Sequence, residues 1–122
     1  MKKILIIEDE KILGEMYKEK FSKADFDVVL ADSAEKAKEI LEEDKPDLIL
    51  LDILLPRANG IAFLTEMKKK GNISSVPVIA FSNFDDPETK KEALRLGAKD
   101  YLIKTNFTPN EIVERIKNYL AQ

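Results

Sequence analysis

The sequence contains no cysteine, no histidine and no tryptophan. Without cysteine there is no disulfide framework, no thiolate metal site and no thiol nucleophile. Without histidine there is no Ser-His-Asp triad, no H-E-x-x-H metalloprotease and no imidazole acid–base pair. Any metal site must be built from oxygen ligands, which selects Mg²⁺, Mn²⁺ or Ca²⁺ over zinc or copper. No apolar run approaches the length of a membrane span. Only four apolar residues separate Met1-Lys2-Lys3 from Glu8-Asp9-Glu10, too few for the core of a signal peptide. No membrane contact and a cytoplasmic location are therefore expected. A basic excess is also lacking: 20 Lys and Arg against 23 Asp and Glu give a net charge of −3. That balance argues against direct nucleic-acid or membrane-surface binding.

What is present is a chain of 122 residues, enough for one domain with a substantial core. Two periods alternate along it. Ile4-Leu5-Ile6-Ile7, Val28-Val29-Leu30-Ala31, Leu48-Ile49-Leu50-Leu51, Val78-Ile79-Ala80-Phe81 and Tyr101-Leu102-Ile103 are apolar runs, as expected of strands buried on both faces. Helical patterns lie between and after them. Ile12, Leu13, Met16, Tyr17 and Phe21 form the first apolar face; Ala34, Ala37, Ile40 and Leu41 the second; Ile61, Leu64 and Met67 the third. Asp32-Ser33 offers an N-cap to the second helix. Asp86-Pro87 opens the fourth helix and Gly97 closes it. Thr108-Pro109-Asn110-Glu111 is a capping box for the fifth, which continues through Ile112, Val113, Ile116, Tyr119 and Leu120. Five β-α units joined by short links predict a doubly wound α/β fold around a parallel sheet. The last helix ends close to residue 122, so a single domain over 1–122 without an effector domain is expected.

In such sheets ligands bind beyond the carboxyl ends of the strands. The first strand closes on Glu8-Asp9-Glu10, the third on Asp52, the fourth on Ser82-Asn83 and the fifth on Lys104-Thr105. Asp52 interrupts the apolar stretch from Leu48 to Leu55, where an isolated carboxylate is costly. Pro56 and Asn59-Gly60 already supply the turn chemistry there, so Asp52 is not needed for it. Glu8 and Asp9 admit two readings. One is a solvated acidic turn with Asp9 capping the next helix. The other is a divalent-cation site, because three carboxylates at adjacent strand ends repel and a hard dication relieves that. Lys104 alone reads as a surface lysine, Ser82 as a turn hydroxyl and Tyr101 as a half-buried aromatic.

Taken together, these residues resemble the receiver domain of two-component response regulators. The matching segments are Ile6-Ile7-Glu8-Asp9-Glu10, Leu50 to Pro56 with Asn59-Gly60, Ala80-Phe81-Ser82, and Gly97 to Lys104. The resemblance implies a five-stranded sheet of order 2-1-3-4-5 with five helices, the flavodoxin-like arrangement. It implies that Asp52 accepts a phosphoryl group from a phosphohistidine on a sensor histidine kinase or phosphotransfer protein. Asp9, Asp52 and the backbone carbonyl of Leu54 would ligate Mg²⁺ (or Mn²⁺), and Glu8 would hold a water of the metal. Lys104 and Ser82 would contact the phosphoryl oxygens. Ser82 and Tyr101 would form the switch that alters protein contacts on the face made by helix four, strand five and helix five. A downstream protein target follows, and a phosphorylation-dependent homodimer is compatible with that face. The chain would not be a conventional enzyme, although receivers catalyse their own phosphorylation and dephosphorylation.

Two positions depart from the family pattern. Asn83 stands where receivers usually carry a small residue, and is expected to slow entry of the phosphodonor or of attacking water. Thr105 replaces the usual proline after the lysine, so a trans Lys104–Thr105 bond and a re-routed loop are expected, since a cis bond without proline costs about 2.5–4 kcal/mol. Leu54 and Phe84 are apolar and cannot orient water. Three other readings compete. A phosphorylation-independent interaction module would need a damaged acceptor site. A flavin-mononucleotide binder would need a hydroxyl- and glycine-rich loop where Glu8-Asp9-Glu10 stands. A Mg²⁺-dependent phosphatase would need a second Asp at position 54, which is Leu.

Overall fold

The computed structural model describes residues 1–54, 60–71, 75–83 and 85–121. The described elements are β1 (Lys3–Ile7), α1 (Lys11–Lys23), β2 (Asp27–Ala31), α2 (Ala34–Glu43), β3 (Leu48–Asp52), α3 (Gly60–Lys69), β4 (Val78–Ser82), α4 (Pro87–Arg95), β5 (Asp100–Ile103) and α5 (Pro109–Ala121). The strands are all parallel in the order β2-β1-β3-β4-β5, the expected topology. The turn assigned to Pro56 and Asn59, and Phe84, lie outside the described residues.

Both faces of the sheet are apolar, yet each strand still alternates. Leu5, Ile7, Ile49, Leu51, Val78 and Ala80 pack into one layer with Ala37, Phe63, Leu64 and Ala93 of α2, α3 and α4. Ile4, Ile6, Leu48, Leu50, Ile79 and Phe81 pack into the other with Tyr17, Phe21, Ile112 and Ile116 of α1 and α5. This period of two is the pleat itself. It assigns successive strand-end residues to opposite sides, which decides the composition of the site below.

The caps read from the sequence are formed. Ser33 accepts from Lys36 N at 3.1 Å, and Asp86 accepts from Glu88 N at 3.2 Å ahead of Pro87. Thr108 and Glu111 exchange both bonds of a capping box, at 3.2 and 2.8 Å. Gly97 follows α4 at φ +112°, a region that favours glycine.

Two expectations need correction. Ile12 is 87% exposed rather than part of the buried face of α1. The buried stripe is Gly14, Tyr17 and Phe21, and five residues of separation turn Ile12 about 140° away from Tyr17. Val28, Val29 and Leu30 are half-buried rather than covered on both faces, because β2 is an edge strand.

Gly60 begins α3 in direct contact with the carboxyl end of β3. Its N–H donates to Ile53 O at 2.8 Å. A Cβ there would lie 2.7 Å from Ile53 Cα and 2.9 Å from Asp52 O, both backbone atoms that cannot swing aside. Gly60→Ala is expected to cost about 1–3 kcal/mol, as overpacking does, measured by urea denaturation. Because one of the two backbone clashes is with Asp52 itself, the same variant should also slow any chemistry at that carboxylate.

Candidate functional site

Four strand ends converge at one pole of the sheet. Asp52 closes β3 and is almost fully buried; Glu8 follows β1 and is more buried still. Asp9 is exposed. One carboxylate oxygen from each of Glu8, Asp9 and Asp52 lies within 4.8 Å of the other two. The N-cap residue of α1 is Glu10, which makes no side-chain capping bond, so Asp9 is not consumed in capping that helix. The Leu54 N–H donates to Asp52 Oδ1 at 3.1 Å, fixing that carboxylate's orientation, and the Leu54 side chain is exposed.

Lys104 reaches the same point from the other edge of the sheet. No cis peptide bond occurs among the described residues, so Lys104–Thr105 is trans, and Lys104–Asn106 form a 3-10 turn after β5. The Lys104 ammonium donates to Glu8 Oε1 at 2.6 Å and lies 3.3 Å from Asp52 Oδ2. Lys104 is buried, unlike the surface lysine its isolated position suggests. It also sits over the Phe81 ring, 4.5 Å from the centroid.

Burial pushes the Glu8 carboxyl up to about 7; the Lys104 hydrogen bond opposes this, and Asp52 adds to it through a hydrogen bond and its charge. A carboxyl near 4.5 when unfolded and near 7 when folded stabilises the fold only while it holds its proton. In metal-free protein, stability should therefore fall as pH rises from about 4.5 to about 7, then level off. The other shifted carboxylates, Glu19, Asp44, Glu66, Glu92 and Glu111, are all lowered and titrate below this window. Urea midpoints across pH 4.5–8 test this, and Glu8→Gln should flatten the curve.

Ser82 closes β4, fully buried, one residue beyond the partner of Asp52 in the sheet register. By the pleat it lies on the α3–α4 side, where Tyr101 also packs. The Tyr101 phenol hydrogen-bonds with Ser82, and burial holds its ionisation above the usual range. Tyr101 is buried rather than half-buried. Asn83 follows Ser82 in the chain and is exposed. Phe81 is the site residue that sequence reading passed over: as one apolar residue in an apolar strand, it carries no signal of its contact with Lys104.

The donor set fits a hard divalent cation: oxygen ligands only, three of them carboxylates, offset by one lysine. The candidate holders are Asp9 and Asp52 with the Leu54 carbonyl, and Glu8 close behind.

Comparison with known proteins supplies the context. The family profile for the response regulator receiver domain matches residues 4–117. The phosphate regulon transcriptional regulatory protein PhoB of Escherichia coli is 36% identical over 116 residues, covering 95% of this chain and 50% of that protein. The alkaline phosphatase synthesis transcriptional regulatory protein PhoP of Bacillus subtilis is 33% identical over 121 residues, covering 99% of this chain and 49% of that protein. The chain thus spans about half the length of the curated relatives it matches. Among solved structures, the receiver domain of the Francisella response regulator 1452 superposes with a TM-score of 0.89 at 29% identity, covering 99% of this chain and 98% of that one.

Proposed function

This chain belongs to the response regulator receiver domain family, and from that premise we propose that it is a phosphorylation-dependent signalling switch with Asp52 as the acceptor. The observation that carries the proposal is the meeting of Asp52 with two further carboxylates and a buried ammonium at the carboxyl pole of the sheet. The donor is a phosphohistidine on a sensor histidine kinase or phosphotransfer protein. An Asp52 carboxylate oxygen forms the new O–P bond as the donor's P–N bond breaks, and the bond's electron pair leaves on an imidazole that is protonated on its other ring nitrogen and so departs neutral. Mg²⁺, held by Asp9, Asp52 and the Leu54 carbonyl with Glu8 nearby, would neutralise charge on the transferring group.

The chain's own residues do the rest. The Leu54 N–H orients one oxygen of Asp52, leaving the other beside Lys104. Lys104 transfers its hydrogen bonds to the incoming phosphoryl oxygens, and Ser82 donates its hydroxyl from the opposite side of the sheet. The phosphoryl group adds about −1.5 to −2 charge and new acceptor oxygens. Ser82 turns towards it, and Tyr101, bonded to Ser82, carries the change to the face of α4, β5 and α5. A protein target, or a second copy of the chain, would read that face. No helix among the described residues is long and apolar enough to cross a membrane. We place this receiver domain in the cytoplasm, acting through protein contacts rather than on nucleic acid directly.

Incubation with Mg²⁺ and acetyl phosphate, followed by intact mass, tests the proposal. One phosphoryl adduct that needs Mg²⁺ and Asp52 supports it. Absence of an adduct with both acetyl phosphate and a phosphorylated kinase would leave a phosphorylation-independent interaction module. Asn83, exposed at the rim, should restrict access. Asn83→Ala is expected to speed phosphorylation or dephosphorylation about two- to tenfold, read as single-turnover rates, and equal rates would remove Asn83 from the account.

A further inference from the structure

We infer that Phe81 is a positioning residue for Lys104, its ring face holding the ammonium between Glu8 and Asp52. The inference rests on the reading of Asp52 as acceptor for its functional consequence, and on geometry for the rest. The Lys104 ammonium has three N–H donors. Two directions are taken by Glu8 at 2.6 Å and Asp52 at 3.3 Å. The Phe81 ring lies on another side, its centroid 4.5 Å away. A buried ammonium facing an aliphatic wall would lose solvation there with no return, whereas the negative face of an aromatic ring attracts it.

The ring is itself held. Phe81 is fully buried, and Tyr17 of α1 meets it edge-on, with centroids 5.4 Å apart and planes at 71°. That is a preferred aromatic geometry. The Phe81 backbone is tied to the acceptor strand: its carbonyl accepts from Ile53 N at 3.1 Å, and Phe81 pairs with Asp52 in the sheet. A single residue of the central sheet therefore fixes the distance between the acceptor's strand and the cation that must meet the phosphoryl group. Lys104 needs such a guide because it lies in a 3-10 turn with exposed Thr105 and Asn106 rather than in a strand.

The test keeps shape and changes electrostatics. Phe81 is replaced by a trifluorinated phenylalanine, which weakens the negative ring face at nearly constant volume, and separately Phe81→Leu removes the ring. Single-turnover phosphorylation by acetyl phosphate should slow about fivefold in the first and about tenfold in the second. Proton NMR of the metal-free chain should show the Lys104 Cε protons shifted upfield by the ring current, and Phe81→Leu should abolish that shift. A purely structural role would lower the urea midpoint while leaving the fluorinated chain's rate at the parent value, and that result overturns the inference. If the parent takes no phosphate at Asp52, the functional reading fails by itself. The positioning inference is then decided by NMR: Lys104 Cε protons at the ordinary lysine position overturn it.

Discussion

Asp52→Asn is expected to abolish the phosphoryl adduct while leaving a folded domain at least as stable as the parent. An amide oxygen is no nucleophile towards phosphorus under these conditions, so the loss should exceed about 10³-fold, and intact mass should show no adduct at any time. Stability is retained because the amide keeps the shape: its oxygen can still accept from Leu54 N, at 3.1 Å in the parent. Removing one of three mutually close carboxylates also relieves repulsion in the metal-free protein. A second consequence separates this variant from a merely damaged one. Part of the upward shift of Glu8 comes from the charge of Asp52. In Asp52→Asn that contribution is gone, so the pH-dependent fall in stability should move to lower pH than in the parent. An unmoved urea-midpoint profile would mean that the two carboxylates are not coupled as their proximity indicates.

Lys104→Met is expected to be the most destabilising single change at the site. It removes the partner of a buried carboxylate, which typically costs about 3–5 kcal/mol because the remaining charge is left unpaired. Glu8 can escape part of that cost by staying protonated, since burial already holds its carboxyl up to about 7. The destabilisation should therefore be larger at pH 8 than at pH 6, and urea denaturation at both values measures it. Lys104→Met combined with Glu8→Gln should recover most of the loss, because both ends of the pair are then neutral. Phosphorylation should stay impaired in the double variant, since the cation facing Asp52 is still missing. Recovery of stability without recovery of activity is the signature that distinguishes a functional lysine from a structural one.

Much of this architecture is legible in the residues. Five apolar runs separated by helical periods lead to the parallel sheet, and reading the residue after each run leads to Glu8, Asp9, Asp52, Ser82 and Lys104. That works because strands of a doubly wound fold bury both faces, so the first polar residue marks the strand's exit from the core. The failures have equally physical causes. Ile12 lies five residues before the buried Tyr17, a separation that a helix of 3.6 residues per turn does not keep on one side. The half-exposure of β2 depends on strand order, which no local pattern encodes. The direct bond between Lys104 and Glu8 joins residues 96 apart, and the ring beneath it looks like any core phenylalanine.

That separation of 96 residues sets an order of assembly. During synthesis the chain emerges from its amino end, so Glu8, Asp9 and Asp52 are made well before Lys104 exists. A nascent sheet of β1 to β4 would carry the clustered negative charge without its counter-cation, and only the docking of β5 closes the longest loop in the site. The cluster of Glu8, Asp52 and Lys104 is thus complete only when nearly all of the domain has been made and folded. On the proposed reading, competence to take a phosphoryl group would then report on the integrity of the entire fold, because it needs Lys104 beyond the last strand as well as Glu8 and Asp52.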